Sequence, residues 1–267
     1  MDLSEWLIHA RKPVFVGDHS AQLLREVTSR LDRLTALAEA GGLDVAVEMI
    51  TRAIDAGGIV QAFGTGHSQA FAMEIAGRAG GLIPTNSIAL RDVVLFGGRD
   101  ASVLSDGAGL ERDPAIVDEL WQTIQPHPED VFVIASNSGV NGSVVGIALA
   151  AKEHGHGVIA VTSLEHTARV TSKHPSGARL SEVADVVIDN LAPYGDTTLT
   201  LDGGVGVGAV SSMTAAFIAQ LLTVAVSERI AAAGAVPPIY LSSNIPAGDD
   251  HNNRLEDHYG DRLRRHA

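Results

Sequence analysis

A short glycine-rich segment, Gly64–Ser68, has the composition of a loop that binds an anion. Its residues are Gly64, Thr65, Gly66, His67 and Ser68. The glycines let the backbone approach a ligand closely, and the free N–H groups of the helix that follows face a ligand at the positive end of the helix dipole. Hydroxyl groups complete this set of donors, so the segment could bind a phosphomonoester without lysine or arginine.

A second segment of the same character follows the apolar run 131–135. It supplies Ser136, Asn137, Ser138, Gly139 and Asn141. The alternative for each segment alone is an ordinary turn in which Ser or Asn caps a helix. Two segments of one composition favour a phosphate site. A dinucleotide fingerprint would need a third glycine where Gln69 stands, and the Gly-Lys-Ser/Thr of a P-loop does not occur.

Glu74 lies between Met73 and Ile75 in an apolar helical stretch after the first segment. A carboxylate in this place is a candidate for a general base working near neutral pH. The alternative is an i,i+4 ion pair with Arg78. Since Glu74 lies about 10 Å along the helix from His67, it would serve a ligand held by the second segment or a site completed by another subunit.

Two histidines are candidates for proton transfer. His67 at a helix N-terminus could shuttle a proton to a ring oxygen, or it could simply cap the helix. His251 lies in the polar run 249–253, where the alternative is a solvated tail histidine. The Asp and His residues of this tail lack the spacing of a metal site.

Apolar runs that alternate with helical patterns predict the elements that position these residues. Strands are predicted at 58–63, 82–88, 131–135, 158–161 and 183–188, with helices at 68–79, 114–124 and 142–154, a loop at 97–113 and a helical lead-in at 21–56 broken at Gly41–Gly42. This order predicts an α/β fold with a doubly wound parallel sheet of five strands. Ligands of such sheets bind beyond the carboxyl ends of the strands, where both segments would lie.

Composition limits the classes of function. The 267 residues include no cysteine, which excludes disulfides and thiolate chemistry. A net charge of −13 argues against a nucleic-acid partner. The N-terminal residues 1–6 carry two acids and no apolar core, so we expect no signal peptide and a cytoplasmic protein.

The uncharged stretch 205–226 is long enough to span a bilayer. It nevertheless contains several hydroxyl and amide side chains and has no basic flank. We therefore expect a helix buried in the core or in a subunit interface, no membrane association, and a homodimer or homotetramer with shared active sites.

In combination, these motifs resemble the sugar isomerase (SIS) domain family. The resemblance spans about 34–255 and includes the two segments, Arg78–Leu82 and the Asp-x-His-Asn of the tail, and it is closest to a phosphosugar-binding SIS subfamily. The stretch 71–78 is similar to the helix that holds the catalytic glutamate of phosphoheptose isomerase. The resemblance implies an N-terminal helical extension at 1–33, a SIS domain at 34–236, and a polar tail at 237–267 that packs on the site or on a neighbouring subunit.

The resemblance also implies aldose–ketose isomerisation of a sugar phosphate through an enediol, without metal or cofactor. Ether cleavage by a related lyase and non-catalytic sugar-phosphate sensing are the alternatives. The phosphate would be held by Thr65, Ser68, Ser136 and Ser138. Glu74 would move the proton between C1 and C2, and His67 or His251 would assist ring opening and the proton transfer between O1 and O2.

Two features depart from the family pattern. Asn141 replaces the Ser or Thr that usually ends the second loop, and the helix around 210–230 has no counterpart of the histidine that phosphoheptose isomerase carries on its last helix.

Overall fold

The structure is a computed structural model that describes residues 19–105 and 109–264. The N-terminal residues that argued against a signal peptide lie outside this range, as do most of the predicted 1–33 extension and residues 106–108 of the predicted loop. Within the described ranges, helices lead into a five-stranded sheet.

Two helices precede the sheet, α1 (His19–Glu39) and α2 (Asp44–Asp55), as the apolar spacing over 21–56 predicts. The chain turns between them at Gly41, whose φ of 81° lies in the left-handed region that side chains disfavour. A side chain at Gly42 would also clash, since its Cβ would lie 2.3 Å from Leu37 Cδ1. Helix α1 runs without a break across residue 33, the predicted end of the extension.

The sheet has five parallel strands, which confirms the predicted α/β class. They are β1 (Val60–Gly64), β2 (Thr85–Ile88), β3 (Val131–Ala135), β4 (Gly157–Thr162) and β5 (Val186–Asp189). Their order is β2-β1-β3-β4-β5, and every neighbouring pair is parallel. The chain therefore winds outward from the centre in both directions, and the order reverses between β1 and β3, where a crevice opens at the carboxyl edge.

Helices cover both faces of the sheet. In chain order they are α3 (Gln69–Ile75), α4 (Asp92–Leu95), α5 (Gly109–Arg112), α6 (Ile116–Ile124), α7 (Gly142–Glu153), α8 (Leu164–Thr167), α9 (Leu180–Val183), α10 (Ser211–Ala232) and α11 (Gly248–Glu256). One buried cluster joins α1, α2, α3 and α10 to strand residues such as Val133, and a second joins α6, α7 and α9 to residues of the other face such as Phe132 and Ile134. The two helical layers and the sheet between them form the predicted doubly wound arrangement.

Three strands begin later than predicted, β1 by two residues and β2 and β5 by three residues each. The run 82–88 becomes a strand only after Pro84, which has no N–H to donate, so only its carbonyl accepts a ladder hydrogen bond. The run 183–188 starts as the end of α9, because the Glu182 carboxylate accepts the Arg179 N–H at 2.8 Å and closes a helical turn.

The helices near the site also differ from their predicted bounds. The helix predicted at 68–79 ends at Ile75, and Gly77 follows with a φ of 74°. The predicted loop 97–113 contains a 3₁₀ turn at 101–105 and the short helix α5. Helix α6 begins at Ile116, two residues later than its predicted start at Pro114. In the turn before it, the Asp113 carboxylate accepts the Ala115 N–H.

The uncharged stretch 205–226 is a strand followed by a helix. Strands β6 (Thr197–Thr200) and β7 (Gly206–Ala209) form an antiparallel hairpin, with Gly203 at a φ of 87° in its turn. Helix α10 then has the length and composition of a membrane span. Its residues Ile218 and Leu222 are buried in the cluster with α1, α2 and α3, so it is a core helix of the domain.

The segment after α10 lies along the outer edge of β2 and then crosses the edge of the sheet at which β1 and β3 begin. Tyr240 exchanges main-chain hydrogen bonds with the turn at 80–81. Further on, Arg262 donates to Asp130 Oδ1 at 2.6 Å, directly before β3 begins. The polar tail predicted at 237–267 thus packs on its own chain over its described residues, and its contact with a neighbouring subunit stays a prediction.

Candidate functional site

The two predicted phosphate segments leave the sheet side by side. Gly64 is the partner of Ala135 in the parallel register of β1 and β3. Thr65 and Ser136 therefore start the two loops at the same level of the carboxyl edge, on either side of the reversal in strand order. This is the position at which parallel α/β sheets bind their ligands.

A narrow cavity lies between these loops and the start of α10. Four residues predicted from the sequence contribute to its wall, namely His67, Ser68, Ser136 and Asn137. Three polar wall residues were not predicted: Asn190, Ser211 and Ser212. The polar part of the wall therefore consists mainly of hydroxyl and amide groups, a donor set suited to phosphate oxygens.

The turn after β1 depends on its two glycines. A Cβ on Gly64 would lie 2.2 Å from the carbonyl oxygen of Ser68, so only glycine lets the turn fold back on the strand. Gly66 has a φ of 55° and begins a 3₁₀ turn that runs to Ser68 and leads into α3. Thr65 is buried beneath this turn, whereas His67 is exposed at its tip.

The loop after β3 is held by its own side chains. Ser136 Oγ accepts the N–H of Gly139 at 3.1 Å, which leaves its hydroxyl proton available to a ligand. Gly139 has a φ of 64°, and a Cβ there would lie 3.0 Å from Thr162 Oγ1. Ser138 is half-buried, and its hydroxyl has no hydrogen bond within the described part of the chain. Ser138, Gly139 and Asn141 belong to this loop but not to the cavity wall.

The start of α10 is held in place by Asp196. The Oδ1 of this residue accepts the N–H groups of Val210 and Ser211, and its Oδ2 accepts the Ser211 hydroxyl at 2.6 Å. The Ser211 hydroxyl is thus engaged, while Ser212 adds a further hydroxyl to the wall. A signal for both was present in the sequence, since glycines crowd the run 203–208 just before a helix that starts with two serines.

Glu74 lies on α3 but outside the cavity wall. Its Oε1 accepts hydrogen bonds from Arg78 Nη1 and from Gln220 Nε2 of α10, the latter at 2.6 Å. The i,i+4 ion pair weighed against the role of base is therefore present, and Gln220 adds a contact that the sequence did not indicate. His251 is also remote from the loops of its own chain, since it lies on α11 with Nε2 at 2.9 Å from the Ile239 carbonyl oxygen.

Within the described residues, no cluster of three or more His, Asp or Glu side chains has the arrangement of a metal site. The polar groups of the cavity are instead hydroxyls, amides and one imidazole.

Comparisons with known proteins agree with this architecture. The sequence profile of the SIS domain family matches residues 22–163. Two UPF0309 proteins, from Listeria monocytogenes serovar 1/2a and Geobacillus kaustophilus, are 35% and 36% identical to this chain, and the alignments cover 90% and 91% of this chain and 95% and 94% of the relatives. The solved phosphoheptose isomerase of Francisella tularensis shares the fold, with a TM-score of 0.54 at 15% identity over 79% of this chain and 97% of that chain. The chain therefore belongs to the SIS domain family and is a relative of the UPF0309 proteins.

Proposed function

We propose that this protein is a cytoplasmic sugar-phosphate isomerase that interconverts an aldose and a ketose through an enediol, without a metal or cofactor. The observation that carries the proposal is the pair of hydroxyl-rich loops that leave β1 and β3 at one level and share a cavity. Membership of the SIS domain family and the fold shared with a phosphoheptose isomerase support it.

The phosphate would be bound by hydroxyl and main-chain N–H groups. Thr65, Ser68, Ser136 and Ser138 supply the hydroxyls, and the start of α10 adds Ser212. Such groups can bind an anion inside an acidic protein, because the N–H groups at helix starts carry partial positive charge. Gly64, Gly66 and Gly139 would let the main chain approach the phosphate oxygens.

In the proposed reaction Glu74 takes the proton from C2 and returns it to C1, while His67 at the mouth of the cavity assists ring opening. Glu74 is not in the wall, so the sugar would extend from the phosphate towards α3. His251 lies along the β2 edge of its own chain, so a catalytic part for it requires a second subunit. We therefore propose a homodimer or homotetramer in which the tail of one subunit completes the site of another.

A non-catalytic sugar-phosphate sensor is the second candidate. The ion pair between Glu74 and Arg78 favours it, because a carboxylate with two protein donors has an evident structural task. A lyase that cleaves an ether is the third, since that reaction also begins with removal of a proton next to a carbonyl. Both alternatives keep the phosphate loops and differ only in what happens to the sugar.

The deciding experiment has two stages. Phosphorylated aldoses and ketoses are first screened for stabilisation of the protein against heat, because a ligand at 100 times its Kd adds about 2.7 kcal/mol to the free energy of unfolding. Sugars that stabilise the protein are then incubated with it in D₂O. An isomerase yields both the other sugar and deuterium at the reacting carbon, a lyase yields a cleaved product, and a sensor yields neither.

A further inference from the structure

Two serines in the cavity wall have opposite hydrogen-bonding polarity. Ser136 Oγ accepts the Gly139 N–H at 3.1 Å, so its own proton is available to a ligand. Ser211 Oγ instead donates its proton to Asp196 Oδ2 at 2.6 Å. Because a hydroxyl has one proton and two lone pairs, Ser211 presents only lone pairs to the cavity. The loop after β3 thus offers a hydrogen-bond donor, and the start of α10 offers an acceptor.

The polarity of Ser211 is fixed by its partner. An ionised carboxylate can only accept hydrogen bonds, and the short contact with Asp196 is typical of a charge-assisted bond between a hydroxyl and a carboxylate. Within residues 19–105 and 109–264, the Ser211 hydroxyl makes no second hydrogen bond. Turning its proton towards a ligand would break the bond with Asp196, so Ser211 acts as an acceptor.

The β6–β7 hairpin brings Asp196 to this position. Thr197 is paired with Ala209 in the hairpin register, which makes Asp196 and Val210 the next pair outward. Asp196 has a φ of 64°, a left-handed conformation that aspartate adopts more readily than most residues other than glycine. Its Oδ1 then accepts the N–H groups of Val210 and Ser211. The carboxylate is therefore held both by the hairpin and by the start of α10.

Ser211 lies at the phosphate end of the proposed sugar path. It shares the cavity wall with Ser68 and Ser136, and because the cavity is narrow, a phosphate there would bring the first carbons of the sugar close to Ser211. Helix α10 continues to Gln220, about 13 Å further along its axis, where Gln220 donates to Glu74 Oε1. A sugar that extends from the phosphate towards α3 would follow this helix.

An acceptor beside the phosphate requires a donor on the ligand. A phosphate dianion has no proton to donate, so the donor has to be a sugar hydroxyl, and the nearest one is on the carbon next to the phosphate-bearing carbon. In the furanose form of an aldopentose 5-phosphate or the pyranose form of an aldohexose 6-phosphate, this oxygen closes the ring and has no proton. In the open-chain form it is a hydroxyl.

We propose that Ser211 accepts a hydrogen bond from this hydroxyl and so selects the open-chain form of the sugar phosphate, with Asp196 as the residue that positions the Ser211 proton. A ring oxygen at the same place would set one acceptor against another. The open chain is the form that can be isomerised, and its preferential binding increases its population at the site. This inference rests on the proposed isomerase function.

The test uses matched pairs of ligands that cannot react. Glucitol 6-phosphate has a free O5 hydroxyl, whereas 1,5-anhydroglucitol 6-phosphate has the same oxygen in a ring. Arabinitol 5-phosphate and 1,4-anhydroarabinitol 5-phosphate are the corresponding pentose derivatives. The Kd of each ligand and of inorganic phosphate is measured by calorimetry at about pH 8.5, where a phosphomonoester, whose second pKa is about 6, has no proton of its own to donate.

We expect the wild type to bind the open-chain member of at least one pair about tenfold more tightly than the cyclic member. Ser211→Ala should abolish this preference by weakening only the open-chain ligand. In Asp196→Asn the new amide can donate to Ser211 Oγ and turn its proton towards the cavity. This variant should therefore lose the preference without losing affinity for inorganic phosphate. Asp202→Asn, which removes an exposed carboxylate at the tip of the same hairpin, is the control and should behave like the wild type.

Equal affinity of the wild type for both members of each pair would overturn the proposal, even if the protein isomerises a sugar phosphate. A parallel loss of affinity for every ligand in both variants would also overturn it, because that pattern belongs to a purely structural contact. Persistence of the preference in Ser211→Ala would assign the selection to another group. If the wild type binds no member of either pair, the proposed function itself fails, and this inference fails with it.

Discussion

Asn190 donates a hydrogen bond from Nδ2 to Oδ1 of Asn137 at 3.2 Å, and so links the end of β5 to the phosphate loop after β3. The Oδ1 of Asn190 in turn accepts the Ala192 N–H, which fixes the orientation of its amide. The amide nitrogen of Asn137 is thereby turned away from Asn190 and left free to donate into the cavity.

Asn190→Asp tests this arrangement. The substituted side chain keeps its size but presents an acceptor to Asn137 Oδ1, so Asn137 should rotate and withdraw its donor. We expect the affinity for inorganic phosphate to fall by about tenfold in calorimetry, the cost of one lost charge-assisted hydrogen bond. An unchanged affinity would show that Asn137 does not contact the phosphate.

Phosphate recognition should depend on the hydroxyls of the loop after β3. We expect Ser138→Ala to weaken sugar-phosphate binding by roughly 1 to 3 kcal/mol, and Ser136→Ala to act in the same direction. Ser227→Ala on α10, whose hydroxyl bonds the Thr223 carbonyl oxygen, serves as the control. Two serine variants with wild-type affinity would place the phosphate elsewhere.

Glu74→Gln should separate binding from chemistry. Glutamine can still accept the hydrogen bond from Gln220 but cannot take a proton. We therefore expect turnover to fall by about 10² or more while substrate affinity stays nearly constant. If Arg78→Gln gives the same phenotype together with a lower unfolding temperature, the pair is structural and the sensor interpretation gains.

An oligomer is expected from the apolar residues that one chain leaves exposed. On α10, Met213 and Val224 are 40% and 53% exposed, and their separation of about three helical turns puts them on one face. We expect light scattering to give at least twice the 27.8 kDa of the chain, and Val224→Asp to shift the protein towards the monomer. Leu104→Asp, in the 3₁₀ turn at 101–105, is the control, and a wild-type monomer at micromolar concentration would contradict the prediction.

Acid should destabilise the protein partly through Asp185. Burial alone would raise the pKa of this carboxyl, but hydrogen bonds from Lys152 and from the Val158 N–H outweigh it and lower the pKa below the usual 3.8. A folded-state pKa below the unfolded value means that the ionised form adds stability above that range and loses it as the pH falls through the folded pKa.

Asp185→Asn should therefore lower the unfolding temperature at neutral pH and flatten its decline below about pH 4. The effect should be modest, because the side chain is 38% exposed. Thermal melts of both proteins from neutral to acidic pH provide the measurement, and parallel curves would exclude Asp185 as a source of the acid sensitivity.

The sequence was sufficient to predict the sheet and four of the seven polar residues in the cavity wall. Parallel strands buried on both faces are continuous apolar runs, and the loops after β1 and β3 stand out by their glycines and hydroxyls. Asn190 could have been predicted by the same rule, since it follows the last predicted strand, 183–188, by two residues. Ser211 and Ser212 had a weaker local signal, the glycine run 203–208 before a helix that starts with two serines. Their part in the cavity was not evident from it, because only the tertiary fold brings the start of α10 to the crevice.

The partners of Glu74 show the other limit. The contact of Gln220 with Glu74 joins residues 146 positions apart. Such contacts are set by the packing of α10 on α3 and leave no trace in local periodicity.

The ion pair between Asp130 and Arg262 affects the order in which parts of the chain can fold during synthesis. The Asp130 side chain is only 1% exposed, and its arginine partner follows 132 residues later. As the chain leaves the ribosome, β1 and β3 can pair while the Asp130 carboxylate is held by the Ile59 and His127 N–H groups and the Gln61 amide. Arg262 can neutralise this charge only after it has been synthesised, so the edge of the sheet around Asp130 is completed later than the pairing of β1 with β3.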